Sequence, residues 1–158
     1  MIRNAVLGDL PGLEGLYAGA RAFMKRTGNP NQWGNTNPPM EVLERDIALG
    51  QLYVVEEDLK IRGAFALIFG ADPTYGYIEG AWTQNGPYAT IHRLAGDGSG
   101  GVFVAAMEFA MERTAFLRID THADNALMHH LLQKHGFTRC GVIYLANGAP
   151  RIAYERGK

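Results

Sequence analysis

The chain has 158 residues, 47% apolar and 20% charged, enough for one globular domain with a real core and no need of disulfides or a structural metal. Its formal net charge of −1 gives no overall attraction for nucleic acid or an anionic membrane surface. A single cysteine, Cys140, excludes an intrachain disulfide framework, no apolar run is long enough to cross a bilayer, and MIRNAVLGDLPG lacks the features of a secretory signal, so the expected setting is cytoplasmic.

Taken in chain order, Ile2–Leu7 reads as a short strand. Asp9 is placed to cap a helix with Pro11 in its first turn, where a missing N–H costs nothing. Leu13, Leu16, Tyr17, Ala20, Phe23 and Met24 then follow at helical spacing, and Gly28 suits the exit. Asn29–Pro39 (NPNQWGNTNPP) is a turn-rich loop whose Trp33 is expected to lean over a neighbouring surface. Met40–Leu49 reads as a second helix, stopped by Gly50. Leu52–Glu56 and Ile61–Phe69 read as strands joined by an acidic turn at Glu57-Asp58. The segment Ala71–Tyr88 (ADPTYGYIEGAWTQNGPY) is consistent with a strand pair or with a lid. Thr90–Ala95 is a strand, and the turn GDGSGG (Gly96–Gly101) leads into a helix with Phe103, Ala106, Met107 and Ala110 on one face. Phe116–Thr121 is a strand, and Asp124 is placed to cap a helix running to about His135. Phe137–Leu145 and Arg151–Glu155 flank Asn147-Gly148, a hairpin signal. No repeat or linker interrupts this order, so the pattern predicts one α/β domain.

The segment with the clearest chemical content is the strand–glycine turn–helix of Thr90 to Arg113. Gly96, Gly98, Gly100 and Gly101 allow the main chain to approach a ligand closely, and the N-terminus of the following helix favours an anion. Phosphate binding and a merely flexible connection are both open on the turn alone. A second segment, ADNALMHHLLQKHGF, follows the strand FLRIDTH.

Together the two segments resemble the GNAT acetyltransferase superfamily, over about Thr90 to Phe137. In that family a strand feeds a turn of the form R/Q-x-x-G-x-G/A that opens a helix. A later helix reads roughly N-x-x-A-x-x-L-Y-E-K-x-G-F, and here its positions fall on Asn125, Leu131, Lys134 and Gly136-Phe137. The turn is shorter than the family's, Gly98 stands where the family has Arg or Gln, and Phe103 stands where it has a second Gly or Ala. Leu132 occupies the position of the tyrosine that protonates the departing thiolate in many members. The resemblance implies an α+β fold, a mixed and mostly antiparallel sheet flanked by helices. It also implies acetyl-CoA as co-substrate, with its pantetheine arm inserted between two strands that splay apart, Ile91–Ala95 and Leu117–His122. Cofactor contacts are then expected from Leu94, Ala95, Gly98, Ser99, Gly100, Gly101, Val102 and Asn125. The implied reaction is direct transfer of an acetyl group to a primary amine of a small molecule or peptide, with a main-chain N–H of the first strand polarising the carbonyl. A silent acyl-CoA binder and a module for another phosphate ligand are the alternatives. A homodimer is left open.

The amine must lose a proton before it attacks, so a base is needed. Arg118, Asp120 and His122 share one strand face at period two, which makes Asp120 and His122 a candidate base with its orienting partner, against a surface ion cluster as the alternative. His92 and Arg93 are expected on opposite faces, so that only one meets an acceptor. Glu79, the only carboxylate between Tyr75 and Trp82, is a second candidate base or a binder of the acceptor's amine. Trp33, Tyr75, Trp82, Tyr144 and Arg151 are candidates to line an acceptor pocket. The histidines have no HxxxH or HExxH spacing, so no metal site is expected.

Overall fold

In the computed structural model, which describes residues 1–158, the chain forms four α-helices and eight strands. They are β1 (Ile2–Asn4), α1 (Leu10–Arg26), α2 (Met40–Ala48), β2 (Leu52–Glu57), β3 (Lys60–Phe69), β4 (Glu79–Gly80), β5 (Ala89–Gly96), α3 (Val102–Met111), β6 (Phe116–Thr121), α4 (Ala126–Lys134), β7 (Thr138–Tyr144) and β8 (Pro150–Gly157). The strands form one sheet in the order β1-β2-β3-β5-β6-β8-β7-β4. Every pairing is antiparallel except β5 with β6, which is parallel.

Period-two alternation gives each central strand two buried faces. Phe65, Leu67, Ile91, Leu117, Ile119, Ile152 and Tyr154 point to one side, where Phe103, Ala106, Met107 and Ala110 of α3 and Leu132 of α4 close a core. Leu52, Val54, Ala64 and Ala66 point to the other side and meet Leu13, Leu16 and Tyr17 of α1 and Leu43 of α2. No helix is long and apolar enough to cross a membrane.

Two capping expectations are corrected. Asp9 does not cap α1; its carboxylate takes the Arg3 guanidinium at 2.9 and 3.0 Å and the Val6 N–H at 2.8 Å, closing a 3₁₀ turn over Leu7–Asp9. The Arg3 hydrogen bonds pull its pKa down. Asp124 does not cap α4 either. The cap is Asn125, whose Oδ1 accepts the Met128 N–H at 3.1 Å.

The Ala71–Tyr88 segment is neither a strand pair nor a free lid. It begins with a 3₁₀ turn at Pro73–Tyr75 and touches the sheet edge through β4, which pairs with Gly141 and Val142 of β7. A Cβ at Gly80 or Gly141 would run into the carbonyl oxygen opposite, so only glycines permit this approach. The segment's far end is clamped by a buried ion pair. Arg118 Nε donates to Glu155 Oε2 at 2.6 Å, and both residues are almost wholly buried. The guanidinium lies 3.9 Å from the Trp82 ring centre and 3.8 Å from that of Tyr88, while Glu155 also accepts the Thr83 N–H at 2.8 Å and Gln84 Nε2 at 2.9 Å. Burial raises the Glu155 pKa, but the hydrogen bonds from Thr83, Arg118 and Gln84 outweigh it and hold the carboxyl below its usual value.

Glu155→Gln keeps the shape and leaves Arg118 buried without a countercharge. The expected loss is about 3–5 kcal/mol in denaturant unfolding. Residues 71–88 should also become more susceptible to limited proteolysis. A loss below about 1 kcal/mol would show that the pair does not hold the segment.

Candidate functional site

The parallel pairing of β5 and β6 consists of Ala89 with Leu117 and Thr90 with Arg118, and then stops although both strands continue. The cause is a bulge in β5. Ala95 pairs with Ala64 and His92 with Ala66, so Arg93 and Leu94 together stand against Phe65 alone. Arg93 takes a φ of 53°, rare for a residue with a side chain, and is pinned there from two sides. Its carbonyl accepts the Tyr17 hydroxyl at 2.6 Å, and its guanidinium bonds Asp46 at 2.7 and 3.0 Å. Burial raises the Tyr17 pKa, which keeps that phenol a proton donor. A bulge bends a strand and sharpens its twist. Here it turns β5 away from β6, and the β5 edge beyond Thr90 that faces β6 has no strand partner.

The gap is the mouth of a cleft of about 300 Å³. The bulge also corrects the expectation that His92 and Arg93 point to opposite faces, because period two fails where a strand gains a residue. Both line the cleft. His92 Nε2 lies 2.8 Å from Asp72 Oδ2. The other carboxylate oxygen of Asp72 accepts the Thr74 N–H at 2.8 Å and the Thr74 hydroxyl at 2.7 Å, and the Asp72 N–H donates to the Tyr88 hydroxyl at 2.8 Å. Burial pushes the Asp72 carboxyl up, but the hydrogen bonds from His92 and Thr74 prevail and bring it to about 2. Asp72 is therefore an anion at neutral pH. It holds the imidazole with the hydrogen on Nε2, so Nδ1 is the basic nitrogen.

Across the gap, Asp120 lines the same cleft and accepts the Tyr75 hydroxyl at 2.6 Å. Burial, reinforced by the Asp120 charge, keeps the Tyr75 pKa far above its ordinary value. The Asn29–Pro39 loop supplies the third wall. Gln32 Oε1 collects Asn29 Nδ2 and Asn125 Nδ2 at 2.9 Å, Thr121 Oγ1 at 3.2 Å and the His122 N–H at 3.4 Å. The main-chain donor fixes that atom as the oxygen, leaving the amide NH₂ free in the cleft. Trp33 rests on Tyr17 with ring centres 5.6 Å apart and also lines the cleft.

The remaining candidates divide clearly. Asp120 and His122 share no hydrogen bond. The strand ends at Thr121, so His122 turns into the loop before α4, where its Nδ1 accepts the Asp124 N–H at 3.0 Å. Glu79 is exposed at the sheet edge and takes the Tyr144 hydroxyl, which puts both outside the cleft. Trp82 is engaged with Arg118 and donates its indole N–H to the Tyr75 carbonyl at 3.1 Å. Arg151 lines the cleft, as do Leu94 and Asn125, whereas Ala95 is buried against the α1–α2 layer. The turn before α3 holds Gly98, Gly100 and Gly101 at φ of 89°, 88° and 83°. No side chain caps α3, so its first-turn N–H groups, beginning at Val102, are free to meet an anion. Ser99 is engaged locally, its N–H donating to Asp97 at 2.9 Å. Leu132 is fully buried. Tyr154, also fully buried, bonds His129 Nδ1 through its hydroxyl at 2.7 Å, and it does not line the cleft.

A GNAT-family acetyltransferase from Streptococcus agalactiae has the same fold at a TM-score of 0.89, with 30% identity over 100% of this chain and 95% of that one. The chain belongs to the GNAT acetyltransferase family. The GNAT fold is shared at lower identity by a ribosomal-protein-alanine N-acetyltransferase from Brucella melitensis, with 20% identity over 100% of this chain and 99% of that one and a TM-score of 0.63. It is shared too by a Salmonella typhimurium protein solved with acetyl-CoA, with 14% identity over 99% of this chain and 92% of that one and a TM-score of 0.64. No family model matches the sequence, and no curated protein is similar enough to match. Within this GNAT domain, sequence reasoning missed Gln32 and the Asp72–His92 pair. Asp72 reaches His92 from 20 residues away by way of the clamped segment, and the only local hint was its Asp-Pro-Thr turn.

Gly101 tests whether the N-terminus of α3 receives a phosphate. Gly101→Ala and Gly101→Glu both place a side chain at a positive φ, at a cost of about 1–2 kcal/mol each. Only the glutamate adds a charge at the mouth of α3. CoA affinity measured by calorimetry should fall at least about tenfold further in Gly101→Glu than in Gly101→Ala. Equal affinity in the two variants would move the phosphates elsewhere.

Proposed function

We propose that this GNAT protein is an acetyl-CoA-dependent N-acetyltransferase that delivers the acetyl group directly to a primary amine of a small molecule or peptide. The observation that carries the reading is the Asp72–His92 pair on the wall of an open strand splay, next to main-chain groups that lack a partner. The Salmonella relative was solved with acetyl-CoA and the Brucella relative is named for N-acetylation of an alanine, which supports the same reaction class.

In this reading acetyl-CoA supplies the thioester. His92 Nδ1 accepts the proton of the bound ammonium, and Asp72 stabilises the imidazolium that results. Unpartnered N–H groups of β5 polarise the thioester carbonyl. As the amine nitrogen bonds the carbonyl carbon, the carbon–sulfur bond breaks and CoA leaves as a thiolate. A simple thiol has a pKa of about 8.5, so departure without a protein acid is feasible; the second proton left on the acylated nitrogen passes to water, and the thiolate takes a proton from water in turn. That matters because Leu132 holds the family's acid position and neither Tyr144 nor Tyr154 lines the cleft. The same fact favours one second reading, a GNAT domain that binds acyl-CoA and does not turn over.

Acetyl-CoA should raise the melting temperature in a concentration-dependent way. His92→Ala should lower kcat by about 10²–10⁴-fold at neutral pH, with a smaller loss at high pH, where free amine is plentiful. The kcat profile of the unmodified protein should rise with pH and level off without an alkaline fall. Bound CoA with no turnover on any amine would leave the silent binder. An unchanged rate in His92→Ala would end the role given to that residue.

A further inference from the structure

Two charged groups in the cleft have no countercharge in contact. Arg151 is only 7% exposed, yet its guanidinium meets two carbonyls and no carboxylate: Nη1 donates to Pro150 O at 2.9 Å and Nη2 to Gln32 O at 3.1 Å. A guanidinium has five N–H donors, so three remain. Burial depresses the Arg151 pKa, with the Asp120 charge acting against that through space. Asp120, on the adjacent strand, accepts the Tyr75 hydroxyl with Oδ2 and has no donor on Oδ1. The other charged groups of the cleft wall have partners, Arg93 in Asp46 and Asp72 in the His92 ring N–H.

Register sets the spacing of the two. Asp120 pairs with Ala153, so Arg151 is its diagonal neighbour on the same face of the sheet. Diagonal neighbours of this kind have backbones about 7–8 Å apart, and the Asp120 charge is felt at Arg151 without a direct ion pair, so one small molecule with a charge at each end is suited to both. Two residues beyond the last parallel pair, Thr90 with Arg118, His92 and Asp120 stand level with each other across the splay. The Tyr75 ring lies between them, 6.2 Å from the His92 ring and bonded to Asp120.

We propose that the acceptor is a zwitterionic α-amino acid, its ammonium against Asp120 within reach of His92 and its carboxylate on Arg151. The proposal rests on the acetyltransferase reading and narrows it. An amine without a carboxylate leaves Arg151 buried and unmatched. A polyamine brings a second positive charge towards Arg151. A peptide N-terminus offers a neutral carbonyl where the site presents a guanidinium. The free NH₂ of Gln32, whose carbonyl already holds Arg151, is placed to add a donor to the same carboxylate.

The test is calorimetry on CoA-saturated protein with the standard L-α-amino acids, the amide of each, and the amine left when each loses its carboxylate. At least one amino acid should bind, and its amide and its decarboxylated amine should bind roughly 10–100-fold more weakly. Arg151→Gln should reduce that ratio to about one, and Arg151→Lys should restore part of it. Asp120→Asn, which keeps the Tyr75 contact, should weaken the amino acid and the decarboxylated amine together. Decarboxylated amines that bind as well as their amino acids would overturn the proposal and leave the acetyltransferase standing. So would the failure of every amino acid to bind, or a loss of CoA affinity in Arg151→Gln, which would assign that residue to the cofactor. A protein that does not bind CoA would fail the acetyltransferase reading itself, and the proposal with it.

Discussion

The site depends on one inserted residue in β5. With regular pairing, β5 and β6 would continue side by side to their ends, and every main-chain donor along them would be satisfied. The bulge at Arg93 and Leu94 breaks that continuity at a fixed place. A left-handed arginine is strained, so it persists only if its surroundings hold it. Tyr17 from α1 bonds its carbonyl, and Asp46 from α2 takes its guanidinium while also accepting Gln51 Nε2 at 2.8 Å. The α1–α2 layer therefore does more than cover the sheet. It holds the splay open.

A second buried ion pair has a different task. Arg118 and Glu155 join β6 to β8 and also fasten the Ala71–Tyr88 segment across the same face of the sheet. That segment delivers Asp72 to one side of the gap and Tyr75 to the other. Buried ion pairs contribute little net stability compared with apolar packing, because desolvation offsets their attraction. What this one supplies is position: besides its own turn and the His92 ring, Asp72 is fixed by the Tyr88 hydroxyl, and Tyr88 stacks on Arg118.

Much of the fold was legible because it is written in short-range pattern. Strand alternation in Leu52–Phe69 and Phe116–Thr121, helical spacing in α1 and α3, and the Asn125–Phe137 segment all carry their signal locally, and together they pointed to the GNAT sheet. The glycine turn before α3 was legible for the same reason, since glycines at positive φ leave a mark in sequence. The acceptor end was not. Period two correctly put Arg118 and Asp120 on one face, but it was carried one residue too far to His122, where the strand has ended. It also separated His92 from Arg93, because a bulge has no sequence signature of its own here. The Asp72–His92, Tyr75–Asp120 and Gln32–Asn125 contacts join residues 20, 45 and 93 positions apart, and no spacing rule reaches that far.

In the proposed reaction the bulge-held splay receives the thioester, with His92 on the acceptor side. A crystal structure with a non-hydrolysable acetyl-CoA analogue tests it most directly. The pantetheine arm should lie between β5 and β6, hydrogen-bonded to the β5 main chain beyond Thr90. The pyrophosphate should lie at the N-terminus of α3, and the acyl carbonyl should face the cleft that His92 and Asp120 line. An arm bound outside the splay, or a complex in which β5 and β6 have closed and Arg93 has left its left-handed conformation, would contradict it.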